Sequence, residues 1–280
     1  MPNHIGQWIA RRLSRTTSSG EFIPEVDGVR FLAILCVLVF HSAVDVYIAR
    51  GTYSPDWAEH HGFLVHLMGK GWFGVEIFFV LSGFIVALPF ARHALQGARQ
   101  GTAAPDLGRY FLRRLTRIEP PYILSLIAMY LIAGNLRHFL PDFLASLVYS
   151  HQYVFSAANP FAGIMWSLEV EVSFYILAPW LTRVYRIRGN GLRWLLQIIL
   201  ILLASYVSQH WHALQDSARF NNTLPVLIQY FLAGMLLADL YASGLVRRSA
   251  RIGWDLAVAV SIAGLGAAVG TSRLLFGLPR

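Results

Sequence analysis

Lysine and cysteine are almost absent from this chain. Of its 23 basic residues one, Lys70, is a lysine, and the one cysteine is Cys36. A single thiol excludes an intrachain disulfide, and no Cys/His spacing of a zinc site occurs. Charge is scarce as well: 14% of the 280 residues are charged, where a soluble domain carries about 25%. Long hydrophilic segments are missing too. The longest are the N-terminal twenty residues and the stretch 92–109, and neither is large enough to fold alone. Internal repeats and low-complexity tracts are absent, which excludes solenoids and disordered tails. The formal charge of +8 is not a nucleic-acid footprint, because the basic residues lie between apolar runs.

What the chain has in quantity is apolar sequence, 56% of all residues. Apolar runs occupy about 30–49, 72–90, 118–134, 164–182, 194–209, 223–242 and 254–270. Each is near the ~20 residues that cross a bilayer as a helix. A weaker run, 139–156, contains Pro141, Asp142, His151 and Gln152 and reads as re-entrant or interfacial. No small-residue cleavage site follows the first run, which therefore reads as a retained helix rather than a signal peptide. The expectation is an all-α, polytopic membrane bundle of about seven to eight helices, with a cytoplasmic segment over 1–27 and a membrane domain over 28–280.

The arginines orient that bundle. With the N-terminus inside and 139–156 not crossing, the inner side holds 17 of the 23 basic residues. They are Arg11, Arg12, Arg15, Arg30, Arg92, Arg99, Arg109, Arg113, Arg114, Arg117, Arg183, Arg186, Arg188, Arg193, Arg247, Arg248 and Arg251. The positive-inside rule then favours seven crossings, with the N-terminus in the cytoplasm and the C-terminus outside.

Polar groups inside apolar runs are expensive, so each marks a candidate site. Arg30 and His41 are eleven residues apart, joined by FLAILCVLVF. Eleven residues make three helical turns to within about 20°, so the two share a face roughly 16 Å apart. Asp45 follows His41 by four residues on nearly the same face and can orient the imidazole. Glu76 and the Ser82-Gly83 interruption mark GWFGVEIFFVLSGFI, residues 71–85. In RRLTRIEPPYI, residues 113–123, Arg114 and Arg117 stand at i and i+3, where guanidinium forks can hold an anion. In WSLEVEVSFYILAPW, residues 166–180, Glu169 and Glu171 point about 200° apart. The cluster His60, His61 and His66 has no matching ligands, and no metal is expected.

The Arg-x10-His helix, GVEIFFVLSGF, RRLTRIEPPY and WSLEVEVSFY, in this order across residues 28–180, resemble the acyltransferase-3 family; FLAGMLLADLY at 231–241 fits its later pattern loosely. The resemblance implies integral membrane proteins that acylate, usually O-acetylate, carbohydrates and other molecules. It implies a cytoplasmic acyl-CoA donor, acetyl-CoA above all, and an essential histidine. Carried to this chain, Arg30 and His41 match the Arg-x10-His pair. Arg114 and Arg117 match the Arg-x-x-Arg pair, and Glu171 matches the acidic residue of the SLxVE element. The expected mechanism holds CoA phosphates on Arg30, Arg114 and Arg117, with His41 as general base toward a hydroxyl-bearing acceptor, a carbohydrate first of all. The chain departs from the family in having a single apolar run after residue 243, so a truncated or inactive member is one alternative. A proton-coupled transporter is another, though the two-halved symmetry of such proteins is not visible.

Overall fold

The structure, a computed structural model, describes residues 23–49, 71–100, 104–155, 159–160, 163–214 and 222–245. Among these residues every regular element is helical: α1 (Pro24–Ala49), α2 (Phe73–Gln100), α3 (Leu107–Ile132), α4 (Leu140–Leu147), α5 (His151–Val154), α6 (Trp166–Leu181), α7 (Asn190–Leu214) and α8 (Leu224–Ala242). Short 3-10 turns flank α6 at Gly163–Met165 and Thr182–Arg186. The chain divides into Met1–Asp239 and Leu240–Arg280, and the contacts that follow lie in the first unit.

Among the described residues five stretches are long and apolar enough to cross a membrane: Phe73–Gly97, Leu107–Ile132, Gly163–Arg186, Asn190–His210 and Leu224–Ala242. Helix α1, of 26 residues, coincides with the first apolar run. It starts at Pro24, where a proline loses no intrahelical hydrogen bond and its fixed φ suits the first turn. The seventh run, 254–270, lies outside the described residues.

Segment 139–156 does not form a span. It breaks into α4 and α5, eight and four residues long, and eight residues rise only about 12 Å. The break falls at Tyr149, whose φ is 55°, the left-handed region. The Tyr122 hydroxyl donates to the Ser146 carbonyl at 2.7 Å, fixing α4 against α3.

Local signals explain the other ends. Asp106 caps α3, accepting from Gly108 N at 2.8 Å and Arg109 N at 3.2 Å. Gly134 and Gly189 follow α3 and the second 3-10 turn with φ of 76° and 91°, a conformation glycine adopts without a Cβ clash.

Helices in lipid associate through small residues that let backbones touch. A methyl group on Gly234 would stand 2.0 Å from the Val80 carbonyl oxygen, and one on Gly83 would stand 2.2 Å from that of Phe231. α2 and α8 therefore cross at backbone contact. Beside this crossing Phe231 stacks on Phe79 at 4.8 Å and on Phe174 at 4.2 Å, joining α2, α8 and α6. The outer faces of α1, α3 and α7 carry exposed apolar side chains such as Phe31, Leu131 and Leu202, the composition expected of surface that meets lipid.

Candidate active site

Three of the sequence segments converge on one cluster. Glu171, on α6, accepts a hydrogen bond from Ser82 Oγ of α2 at 2.5 Å. It also accepts from the Tyr175 hydroxyl one turn along its own helix. The Arg114 guanidinium of α3 lies against two rings, 3.7 Å from the Tyr110 centroid and 5.2 Å from that of Tyr175. Its Nη1 donates to the Tyr110 carbonyl at 3.1 Å. The Tyr110 hydroxyl in turn donates to the Tyr175 carbonyl at 2.9 Å. Arg114 is thus held by tyrosines from α3 and α6, with one of its five N–H groups committed to Tyr110 and the others available to an anion.

Arg117 goes elsewhere. At i+3 it is turned about 60° from Arg114, is exposed, and lines a separate groove beside Tyr122, Met165 and Leu168.

Arg30 and His41 are both half-buried on α1. Arg30 Nη1 pairs with Asp27 Oδ1 at 2.7 Å, and the His41 ring meets Phe40 edge-on at 5.3 Å. Their depth follows from the contact of α1 with α2. A methyl group on Gly71 would meet the Cys36 carbonyl oxygen at 2.3 Å, and one on Gly74 would meet that of Ala33 at 2.4 Å. The helices run antiparallel, so at 1.5 Å per residue Arg30 falls about 7.5 Å, roughly one and a half turns, from Ser82 in depth. On the same reckoning His41 lies about 10 Å beyond the first residue of α2 and about 24 Å from Ser82 along the axes. Arg114 and Glu171 thus share a depth, Arg30 lies about one and a half turns from it, and His41 is removed further to the same side. The backbone of Asp45 belongs to α1, but its side chain lies outside the described residues, as do His60, His61 and His66.

The hydrogen bonds of Glu76 and Glu169 come from groups other than basic side chains. Glu76 accepts from the Tyr230 hydroxyl of α8. Glu169, 2% exposed, accepts from the Gln152 backbone N–H at 3.1 Å, at the start of α5. Glu169 and Glu171 diverge as their spacing on the helix implies. Both are turned into protein, toward different neighbours, because α4 and α5 fold back and offer unpaired backbone N–H groups to Glu169.

Sequence reasoning missed one constellation. Arg193, placed by charge counting among the topological arginines, is 2% exposed and grips Asp239, which is fully buried. Nε meets Oδ2 at 2.6 Å and Nη2 meets Oδ1 at 2.8 Å, in the bidentate fork geometry of an arginine–carboxylate pair. The signal for it was available: Asp239 interrupts an otherwise apolar run and needs a counter-charge.

The fold and site define a polytopic, all-helical membrane protein with a clustered Arg–Tyr–Glu–Ser site between α2, α3 and α6. The family model described as an acyltransferase domain matches residues 23–277, and the chain belongs to the acyltransferase-3 family. It is 25% identical over 186 residues to "Peptidoglycan O-acetyltransferase OatA" of Listeria monocytogenes serovar 1/2a, covering 60% of this chain and 25% of that protein. It is 25% identical over 240 residues to a protein of Staphylococcus aureus (strain COL) named as an O-acetyltransferase, covering 79% and 35%. It is 26% identical over 211 residues to a protein of Acidianus two-tailed virus named as an acetyltransferase, covering 74% and 53%. The matched regions thus take in between 25% and 53% of these relatives' lengths. No solved structure matches.

Proposed function

We propose that this chain transfers an acetyl group from cytoplasmic acetyl-CoA to a hydroxyl of a carbohydrate acceptor, with His41 as general base. The family and the relatives' names support the reaction class. The observation that carries the reading is depth: Arg30 and Arg114 lie within about two turns of each other, and the imidazole lies about 16 Å further along α1 from Arg30, a length comparable with an extended pantetheine arm. The phosphates of the donor would rest on Arg30 and Arg114, and the thioester would reach His41. The acceptor hydroxyl gives its proton to the imidazole as its oxygen attacks the thioester carbonyl. The C–S bond breaks, an ester forms, and the CoA thiolate leaves with the proton from the imidazolium.

Glu171 stands at the donor level. In this reading it fixes the Tyr175 phenol and so the Arg114 seat, and orienting His41 falls to Asp45. Arg114→Lys keeps the charge but loses the planar fork and its ring contacts. It is expected to weaken CoA binding roughly ten- to hundredfold, the worth of a charge-assisted hydrogen bond. Arg113→Lys, exposed on another face, should leave affinity unchanged. Calorimetry in detergent decides, and equal affinity of Arg114→Lys and wild type would remove Arg114 from the donor site.

The orientation is proposed to place the N-terminus in the cytoplasm and the full bundle at about seven to eight spans, in a bacterial inner membrane. Cysteines introduced at 92–109 should be shielded from an impermeant reagent added outside intact cells, and cysteines at 210–222 should react. Outside labelling of 92–109 would reverse the orientation. Incubating membranes with labelled acetyl-CoA separates an enzyme from a transporter: His41-dependent release or transfer of label supports transfer, and solute-driven pH change without CoA supports transport.

A further inference from the structure

The groove beside Arg117 is lined by none of the residues that hold Arg114, and its lining is specific. It lies between α3 and the start of α6, with a volume of about 260 Å³, walled by Ile118, Pro121, Met165 and Leu168. Arg117 stands at one end and Ser125, two turns along α3, at the other. The Tyr122 hydroxyl in its wall is committed to Ser146. Arg117 is the groove's one cationic lining residue. Glu119, two residues on, is turned about 200° from it.

Two observations identify the occupant. The first is surroundings: the neighbouring surface is exposed and apolar, with Leu124 71% and Ile164 56% accessible, so the groove opens sideways onto the face that meets hydrocarbon. The second is depth. Arg117 is the last basic residue before the apolar stretch of α3, which places it at the polar–apolar boundary where lipid phosphates lie. An apolar trough ending in one guanidinium at that boundary complements an acyl chain ending in one phosphate diester. Its volume accommodates about nine water-sized groups, enough for a section of one chain.

We propose that this groove binds one anionic phospholipid, its phosphate on Arg117 and a chain along Ile118, Pro121, Met165 and Leu168.

The test uses the full chain in nanodiscs of equal phosphatidylglycerol and phosphatidylcholine, with the lipids that remain after stepwise delipidation counted by native mass spectrometry. Wild type should retain one phosphatidylglycerol in roughly tenfold preference, the scale of one charge-assisted hydrogen bond. Arg117→Gln should bring that preference to near unity. Arg113→Gln, one turn away and outside the groove, should keep it. Ile118→Trp, filling the trough, should lose the retained lipid with Arg117 intact. Absence of preference in wild type, or equal loss in Arg113→Gln, would reduce the effect to general surface charge and overturn the site. Lowered CoA affinity in Arg117→Gln with lipid preference unchanged would overturn it as well and return Arg117 to the donor. The outcome is independent of whether His41 catalyses transfer.

Discussion

His41→Ala should reduce acetyl transfer about 10²–10⁴-fold, the contribution of a positioned general base, while the protein still inserts and still binds CoA. The split follows from depth. Arg114 lies near the level of Ser82, Arg30 about one and a half turns from it, and His41 about 16 Å beyond Arg30 along the helix axis, so removing the imidazole leaves the donor's phosphate contacts in place. His41 is half-buried, next to Phe40, and alanine is a good helix former, so α1 should persist. The measurement is turnover of labelled acetyl-CoA in membranes beside calorimetric CoA affinity. Wild-type turnover in His41→Ala would end the mechanism. Lost CoA binding with lost turnover would move His41 to the donor site.

Much of this arrangement is written into the sequence as interruptions of apolar runs. Helix α1 appears as ten apolar residues between Arg30 and His41, and the weak run 139–156 announces its failure to span through Pro141 and Asp142. Ser82, Arg114 and Glu171 were visible as polar residues in apolar surroundings, but not as neighbours, because contacts between helices 57 and 89 residues apart leave no local period to read. Helical spacing paired Arg114 with Arg117 on one face. The 60° between them was enough to send one against Tyr110 and Tyr175 and the other into a groove. The same limit hid Tyr175, which looks like any interfacial aromatic until its hydroxyl is found on Glu171. Charge counting misassigned Arg193 in kind: an arginine near a helix end satisfies the positive-inside rule whether it meets water or, as here, a buried carboxylate.

That carboxylate carries the largest stability effect expected of the chain. Asp239 accepts from Arg193 twice, from Gln197 Nε2 at 2.6 Å and from Trp194 Nε1 at 3.2 Å. Arg193 further donates to the Ile187 carbonyl at 3.2 Å and to Asn190 Oδ1 at 2.9 Å. The network ties the beginning of α7 to α8, and the neighbouring Tyr185 hydroxyl donates to the Met235 carbonyl at 2.8 Å. Asp239→Ala would leave a buried guanidinium without its counter-charge and several donors without an acceptor, which costs about 3–5 kcal/mol. Arg193→Met alone should cost a similar amount by stranding the carboxylate. The double variant Arg193→Met with Asp239→Leu should recover most of the loss, since a well-packed apolar pair substitutes for a buried ion pair at little net cost. Thermal unfolding in detergent, followed by the near-ultraviolet circular dichroism of the chain's aromatic residues, gives all three stabilities in one cycle. Additive losses in the double variant would mean that the two side chains act independently, and the α7–α8 tie would then rest on packing around Met235 instead.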